Sequence, residues 1–265
     1  METNHALAGA RGELVVHAWT ADAGRFVVLL AHGIGEHAGR YDHVARHLVA
    51  HGAAAVHAPD HAGHGLSEGP RAEVEVESMV ADLHRVAERL RRDHPGLPLV
   101  LVGHSLGGII STRYAQEHPG ELAALVLSGP VIGGNPGFEA LLAMDPMPEV
   151  PIDPAALSRD PAVGEAYLAD PLIHHGALSR ETLQDIFAAV ATIAAGPGLG
   201  GLPTLWLHGE LDPLAPYDVT AAAFEVVGGT ALEHRSYPGA MHEIFNETNR
   251  AEVLEDMTSF LDVNV

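Results

Sequence analysis

Leu97-Pro-Leu-Val-Leu-Val-Gly-His-Ser-Leu-Gly-Gly-Ile-Ile-Ser111 passes from strand to helix within a few residues. The apolar run Leu99 to Val102 reads as a buried strand of a parallel sheet. Helical spacing begins at once, through Ile109, Ile110, Arg113 and Tyr114, and runs up to Pro119. Between them lies Gly103-His104-Ser105-Leu106-Gly107, a G-x-S-x-G element at a sharp strand-to-helix turn. The turn leaves no room for side chains at Gly103 and Gly107. It lifts the Ser105 hydroxyl above the sheet edge. The first amides of the new helix point at the same place and favour developing negative charge. A glycine-rich βα turn without chemistry is the bland alternative; the strand before and the helix after favour a nucleophile.

Upstream, Phe26 to Ala31 is a second continuous apolar strand, and Glu13 to Thr20 reads as an antiparallel edge strand. The loop His32-Gly-Ile-Gly-Glu-His-Ala-Gly-Arg-Tyr41 follows. In a protein with this elbow, such a loop supplies one oxyanion amide, assigned to Ile34, and the residue after the nucleophile, Leu106, supplies the other. Helical spacing over Tyr41 to His51 and a strand over Ala53 to Ala58 come next. His57, Asp60, His61 and His64 then crowd one loop. They could form a metal set, but the glycines and the strand-end position suit a hydrogen-bonded structural loop better. Val74 to Arg92 is an amphipathic helix.

Downstream, Leu122 to Leu127 is another buried strand. Strands alternating with helices imply an α/β fold, a mostly parallel sheet covered on both faces. The rhythm breaks from Val131 to about Gly201, which holds eight prolines and one clear helix, Leu183 to Ala194. The chain thus divides into a core first part (1–130), an inserted lid (131–201) and a core second part (202–265). Phe138, Leu141, Leu142, Met144 and Met147 are expected to form one apolar cluster in the lid, suited to an apolar substrate. Pro203 to His208 is a strand, Tyr217 to Val227 a helix and Leu232 to Tyr237 the last strand. A final helix carries Ile244, Phe245, Val253, Met257 and Phe260.

Ligands in open parallel sheets bind beyond the carboxyl ends of the strands. Ser105, Asp212 and His242 each follow a predicted strand, in the order Ser…Asp…His. A serine hydroxyl is nearly inert at neutral pH and needs a base. His242 can take its proton and later return it to the leaving group. Asp212 would hold the imidazole in the right tautomer. Asp218 is the runner-up acid but lies inside a predicted helix; Asp60 follows an earlier strand. Each oxyanion amide is worth on the order of 3–4 kcal/mol.

Composition narrows the field. The chain has 265 residues, 47% hydrophobic, and a formal charge of −21; its 14 basic residues are all arginine and it has no cysteine. Disulfides, thiol nucleophiles and thiolate zinc sites are excluded. Such acidity disfavours nucleic acid and anionic membrane surfaces. No apolar run approaches the length of a membrane span, and Met1 to Leu7 has no leader pattern, so a soluble cytoplasmic enzyme is expected.

Four stretches resemble the monoacylglycerol lipase and lysophospholipase-like branch of the α/β-hydrolase superfamily: His32 to Tyr41, Asp60-His-Ala-Gly-His-Gly-Leu-Ser67, Gly103-His-Ser-Leu-Gly-Gly108 and Met241-His-Glu-Ile-Phe-Asn-Glu247. Gly209-Glu-Leu-Asp-Pro213 is a weaker fifth. The resemblance implies an α/β-hydrolase fold with a lid and cofactor-free hydrolysis of single-chain acylglycerols through an acyl-serine. By position it implies Ser105, Asp212 and His242 as the triad and Ile34 and Leu106 as oxyanion donors. Glu36 falls near the glycerol end of the family's site. Phe138, Leu142 and Met144 are lid candidates for substrate contact. A lipid ester is the expected partner, with transient contact to lipid aggregates or a membrane surface through the lid. Other esterases, lysophospholipases, aminopeptidases and carbon–carbon bond hydrolases share the elbow. Epoxide hydrolases and dehalogenases place Asp where Ser105 stands. A non-catalytic ligand-binding scaffold usually lacks a triad member, and none is missing here.

Overall fold

The computed structural model describes residues 2–265. The first half of the chain holds strands β1 (Glu2–Gly9), β2 (Gly12–Thr20), β3 (Phe26–Ala31), β4 (Ala53–Pro59), β5 (Leu99–His104) and β6 (Ala124–Ser128), with helices α1 (Asp42–Ala50), α2 (Val76–Asp93) and α3 (Leu106–Glu117). After α4 (Pro136–Leu142), α5 (Pro161–Ala169) and α6 (Arg180–Ala195), the pattern closes with β7 (Thr204–Gly209), α7 (Tyr217–Val227), β8 (Leu232–Tyr237) and α8 (Arg250–Asn264). The eight strands form one sheet in the order β1-β2-β4-β3-β5-β6-β7-β8. β1 and β2 run antiparallel at one side and the pairs from β4 through β8 are parallel. This is the α/β-hydrolase arrangement.

The period of two explains why the central strands look apolar throughout. Val27, Leu29 and Ala31 of β3 face one core with Leu101 and Leu127, beneath α2 and α3. Phe26, Val28 and Leu30 face the other with Val100, Val102, Val126 and Leu205, under α1 and α8. Both faces are covered, so both sets of alternate residues are apolar. The stripe predicted on α2 is buried: Met79, Val80, Leu83, Val86, Ala87 and Leu90 all lie inside.

Three expectations are corrected. Glu13 to Thr20 is not the edge strand, because β1 pairs along the whole of β2. Polar Thr3-Asn-His5 carries no apolar period, so pairing with β2, helped by Leu7 packing on the core, makes this strand. The final helix begins only at Arg250; Ile244 and Phe245 sit on a separate short 3₁₀ turn. The apolar cluster around Phe138, Leu142 and Met144 does not form, since α4 buries none of its residues and the Met144 side chain is exposed. In its place Leu157, Tyr167 and Ile173 cluster with Ile152 and Leu214. Helix α6 packs Ile186, Ala189 and Ile193 into the main core. Among the described residues no helix is long and apolar enough to cross a membrane.

Candidate active site

β5 ends at His104 and α3 starts at Leu106, leaving Ser105 alone in the bend. Its backbone takes φ 55° and ψ −116°, a region that L-residues avoid at about 1–3 kcal/mol. The surroundings hold it there. The Ser105 amide donates to the Ser128 carbonyl at 3.0 Å, and its own carbonyl accepts from Gly108 at 2.9 Å. Helix α3 starts so close to β3 that a Cβ on Gly107 would lie 2.0 Å from the Ala31 carbonyl oxygen.

Ser105 Oγ lies 2.9 Å from His242 Nε2, and His242 Nδ1 lies 2.7 Å from Asp212 Oδ2. All three side chains are buried. Asp212 is held by the amides of Leu214 and Ala215, at 2.9 and 2.8 Å from Oδ1. Burial pushes its carboxyl upward, but His242 and the hydrogen bonds from His208 and His242 outweigh that, leaving it far below the usual carboxylate range. An ionised Asp212 only accepts, so His242 Nδ1 carries the proton and Nε2 is left to accept from Ser105. Burial opposes protonation of His242, and the Asp212 charge overcomes it, raising the ring above its ordinary value. His104, 4.7 Å away by ring centroid, goes the other way. Burial and the neighbouring His242 bring it down to about 4, so it stays neutral.

His208 is a further support. Trp206 Nε1 donates to His208 Nδ1 at 2.8 Å, which places the His208 proton on Nε2. From there it meets the Ala215 carbonyl at 2.7 Å and faces Asp212 Oδ2 at 3.4 Å. The loop bearing His242 rests on the turn around Ala156: the amides of His242 and Glu243 donate to the carbonyls of Ala156 and Leu157 at 3.3 and 2.7 Å. Arg159 meets the buried Glu247 carboxylate at 2.9 Å.

Ile34 and Leu106 line the same cavity as Ser105, and neither amide donates to an acceptor among the described residues. The loop that carries Ile34 is braced by a buried ion network. Glu36 accepts from the Gly33 amide and the Tyr41 hydroxyl, both at 2.6 Å, and from Arg40. Arg40 also grips Glu243 through two contacts of 2.6 Å and lies over the Tyr167 ring. Glu36 and Glu243 are 3% and 5% exposed, so two desolvated carboxylates share one guanidinium. Burial raises Glu36, yet Arg40 and the hydrogen bonds from Tyr41 and Gly33 pull it below its ordinary value.

The histidine-rich loop does not gather a chelating set. Asp60 is occupied by the Ala38 and Leu66 amides, both at 2.8 Å, and His57 faces His5. The His32 Nε2 atom accepts the His61 amide at 2.9 Å, which requires a neutral ring. Burial drives His32 well below its ordinary value, and brings His61 to about 3 and His57 and His64 to about 4. The unfolded chain protonates these rings near 6.5 and the folded one does not, so protons favour unfolding. Stability should be full above pH 7 and fall steeply between about pH 6.5 and 4. Thermal melts at pH 7.5, 6 and 5 read this directly; an unchanged midpoint at pH 5 would contradict it.

The cavity at Ser105 is mostly apolar, walled by Leu106, Ile109, Val131, Leu178, Leu183, Ile186 and Phe187, with Glu36, His104 and Glu243 also lining it. Of the lid candidates Phe138 lines it, whereas Leu142 and Met144 do not. Their carbonyls instead hold Arg180 at 2.7 and 2.6 Å. Glu36 reaches the cavity with both oxygens engaged by protein groups. Sequence reasoning missed Arg40, Glu243 and His208. Glu243 adjoins His242, and both Arg40 and Glu243 lie within the stretches His32 to Tyr41 and Met241 to Glu247 that carry the resemblance.

The family model described as "Serine aminopeptidase, S33" matches residues 22–249. Monoacylglycerol lipase of Mycolicibacterium smegmatis is 37% identical over 98% of this chain and 96% of the relative. Human monoglyceride lipase is 33% identical over 83% of this chain and 76% of its own. The crystal structure of Paleococcus ferrophilus monoacylglycerol lipase superposes with a TM-score of 0.79 at 28% identity, covering 93% of this chain and 99% of that one. The chain belongs to the serine aminopeptidase S33 family of α/β-hydrolases, on the branch that holds the monoacylglycerol lipases.

Proposed function

We propose that this chain is a carboxylic ester hydrolase that cleaves monoacylglycerol to glycerol and fatty acid. The observation that carries the reading is the Ser105–His242–Asp212 relay, with contacts of 2.9 and 2.7 Å, opening onto an apolar cavity. Ser105 Oγ attacks the ester carbonyl as its proton passes to His242 Nε2. The oxyanion develops toward the amides of Ile34 and Leu106. His242, its charge offset by Asp212, protonates the departing glycerol oxygen, leaving an acyl-Ser105. Water then attacks that ester with His242 as base, and the serine is restored. No cofactor enters these steps.

The inserted segment 131–201 is assigned to acyl-chain selection. Phe138, Leu178, Leu183, Ile186 and Phe187 from it wall the cavity. Met144, Val150 and Leu168 leave large apolar side chains on its surface, which suits brief contact with lipid aggregates.

The family description names an aminopeptidase, so an amide substrate is the second reading. The apolar wall favours the ester of a fatty acid: no carboxylate among the lining residues is free for an amino terminus, because both Glu36 and Glu243 are engaged by Arg40. A hydrolysis panel of mono-, di- and triacylglycerols, lysophospholipids and amino-acid amides decides. Monoacylglycerol should give the highest kcat/KM by at least about tenfold, a difference of roughly 1.4 kcal/mol. Preference for an amide or a lysophospholipid would overturn the assignment.

A further inference from the structure

We propose that His84, His118 and Glu121 form a binding site for a divalent transition-metal ion of the zinc type, at the end of α3 opposite Ser105. His84 stands on α2, His118 caps the C-terminus of α3, and Glu121 lies in the turn before β6. The two imidazoles stack at 4.0 Å with planes 2° apart. Both present Nδ1 to the same carboxylate, at 3.5 Å from Oε2 for His84 and 3.8 Å from Oε1 for His118. One donor atom from each residue can be chosen so that all lie within 4.8 Å of one another.

Tetrahedral zinc with bonds of about 2.0–2.1 Å sets its ligand atoms roughly 3.3 Å apart. The present separations need to close by an ångström or so. The side chains are 27%, 24% and 29% exposed, which leaves the rings room to splay from their stack and aim both lone pairs at one ion. It also lets water complete the shell. Glu121 is already oriented for the task. Its Oε2 accepts from the Tyr114 hydroxyl at 2.6 Å and from Arg91 at 2.7 Å, which leaves Oε1 for the ion. Such outer partners fix a metal-binding carboxylate. The carbonyl end of α3 favours a cation. Two imidazoles and one carboxylate suit Zn²⁺, Co²⁺ or Ni²⁺, not Mg²⁺ or Ca²⁺. Arg91 offsets the carboxylate charge, so affinity should be micromolar rather than nanomolar. A bound ion would tie α2 to the far end of the helix that starts at the elbow, about 18 Å along its axis, and would take no part in the chemistry.

The test uses the full chain stripped of metal. Wild type should bind about one equivalent of Co²⁺ with the visible absorption of a four-coordinate ion, and ZnCl₂ should raise its melting temperature by several degrees. MgCl₂ should do neither. The chain has 19 histidines, so the His84→Gln/His118→Gln variant is the decisive comparison. It should lose both responses and keep wild-type turnover of an aryl ester in metal-free buffer. His118→Gln alone should weaken Co²⁺ binding at least tenfold. Unchanged Co²⁺ spectra and zinc-dependent melting in either variant, or no response in wild type, would overturn the site.

Discussion

Ser105→Ala is expected to lower turnover of a short-chain aryl ester by roughly ten-thousand-fold or more, the scale on which removal of a serine nucleophile operates. Folding should survive. Alanine keeps the Cβ that the elbow already accommodates at φ 55°, and among the described residues the one side-chain bond lost is the 2.9 Å contact to His242. The melting temperature should move by no more than a few degrees. A serine-directed fluorophosphonate should label wild type at Ser105 alone and leave the variant unmarked. Residual activity within tenfold of wild type would show that another group attacks the ester.

Arg40→Ala is the variant expected to cost most in stability. It leaves Glu36 and Glu243 desolvated and without their shared cation, the situation in which breaking a buried pair costs about 3–5 kcal/mol. The melting temperature should fall by roughly 10 °C. Activity should fall as well, because Glu36 holds the Gly33 amide beside Ile34, and Glu243 directly follows His242. Arg40→Lys keeps the charge without the two-pronged grip on Glu243 and should lie between the two. If the alanine variant melts within 2 °C of wild type, the network is not what braces the loop.

The contrast between these residues shows what a linear text can carry. Ser105 was legible because a strand, a tight turn and a helix are all local events, and glycine marks the points of contact. Asp212 and His242 were legible by position, each just beyond a strand. The Arg40–Glu243 pair spans 203 positions, and nothing local marks it. His208 sits two residues from Trp206 on one strand, but its approach to Asp212 comes only from how the loop after that strand folds back; in β1, polar residues hide a strand made by pairing. Leu142 and Met144 misled because apolar composition marks a capacity for burial without saying which face is covered.

The contacts from Ala156, Leu157 and Arg159 to the His242 loop bear on how such enzymes diversify. Wholesale exchange of residues 131–201 between relatives would take away the scaffold beneath His242. A viable chimaera, or a natural recombination event, would leave residues 153–160 with the recipient and trade the stretches on either side of them. The wall of the cavity can thus drift on either side of residues 153–160, while that short stretch is bound to the placement of His242.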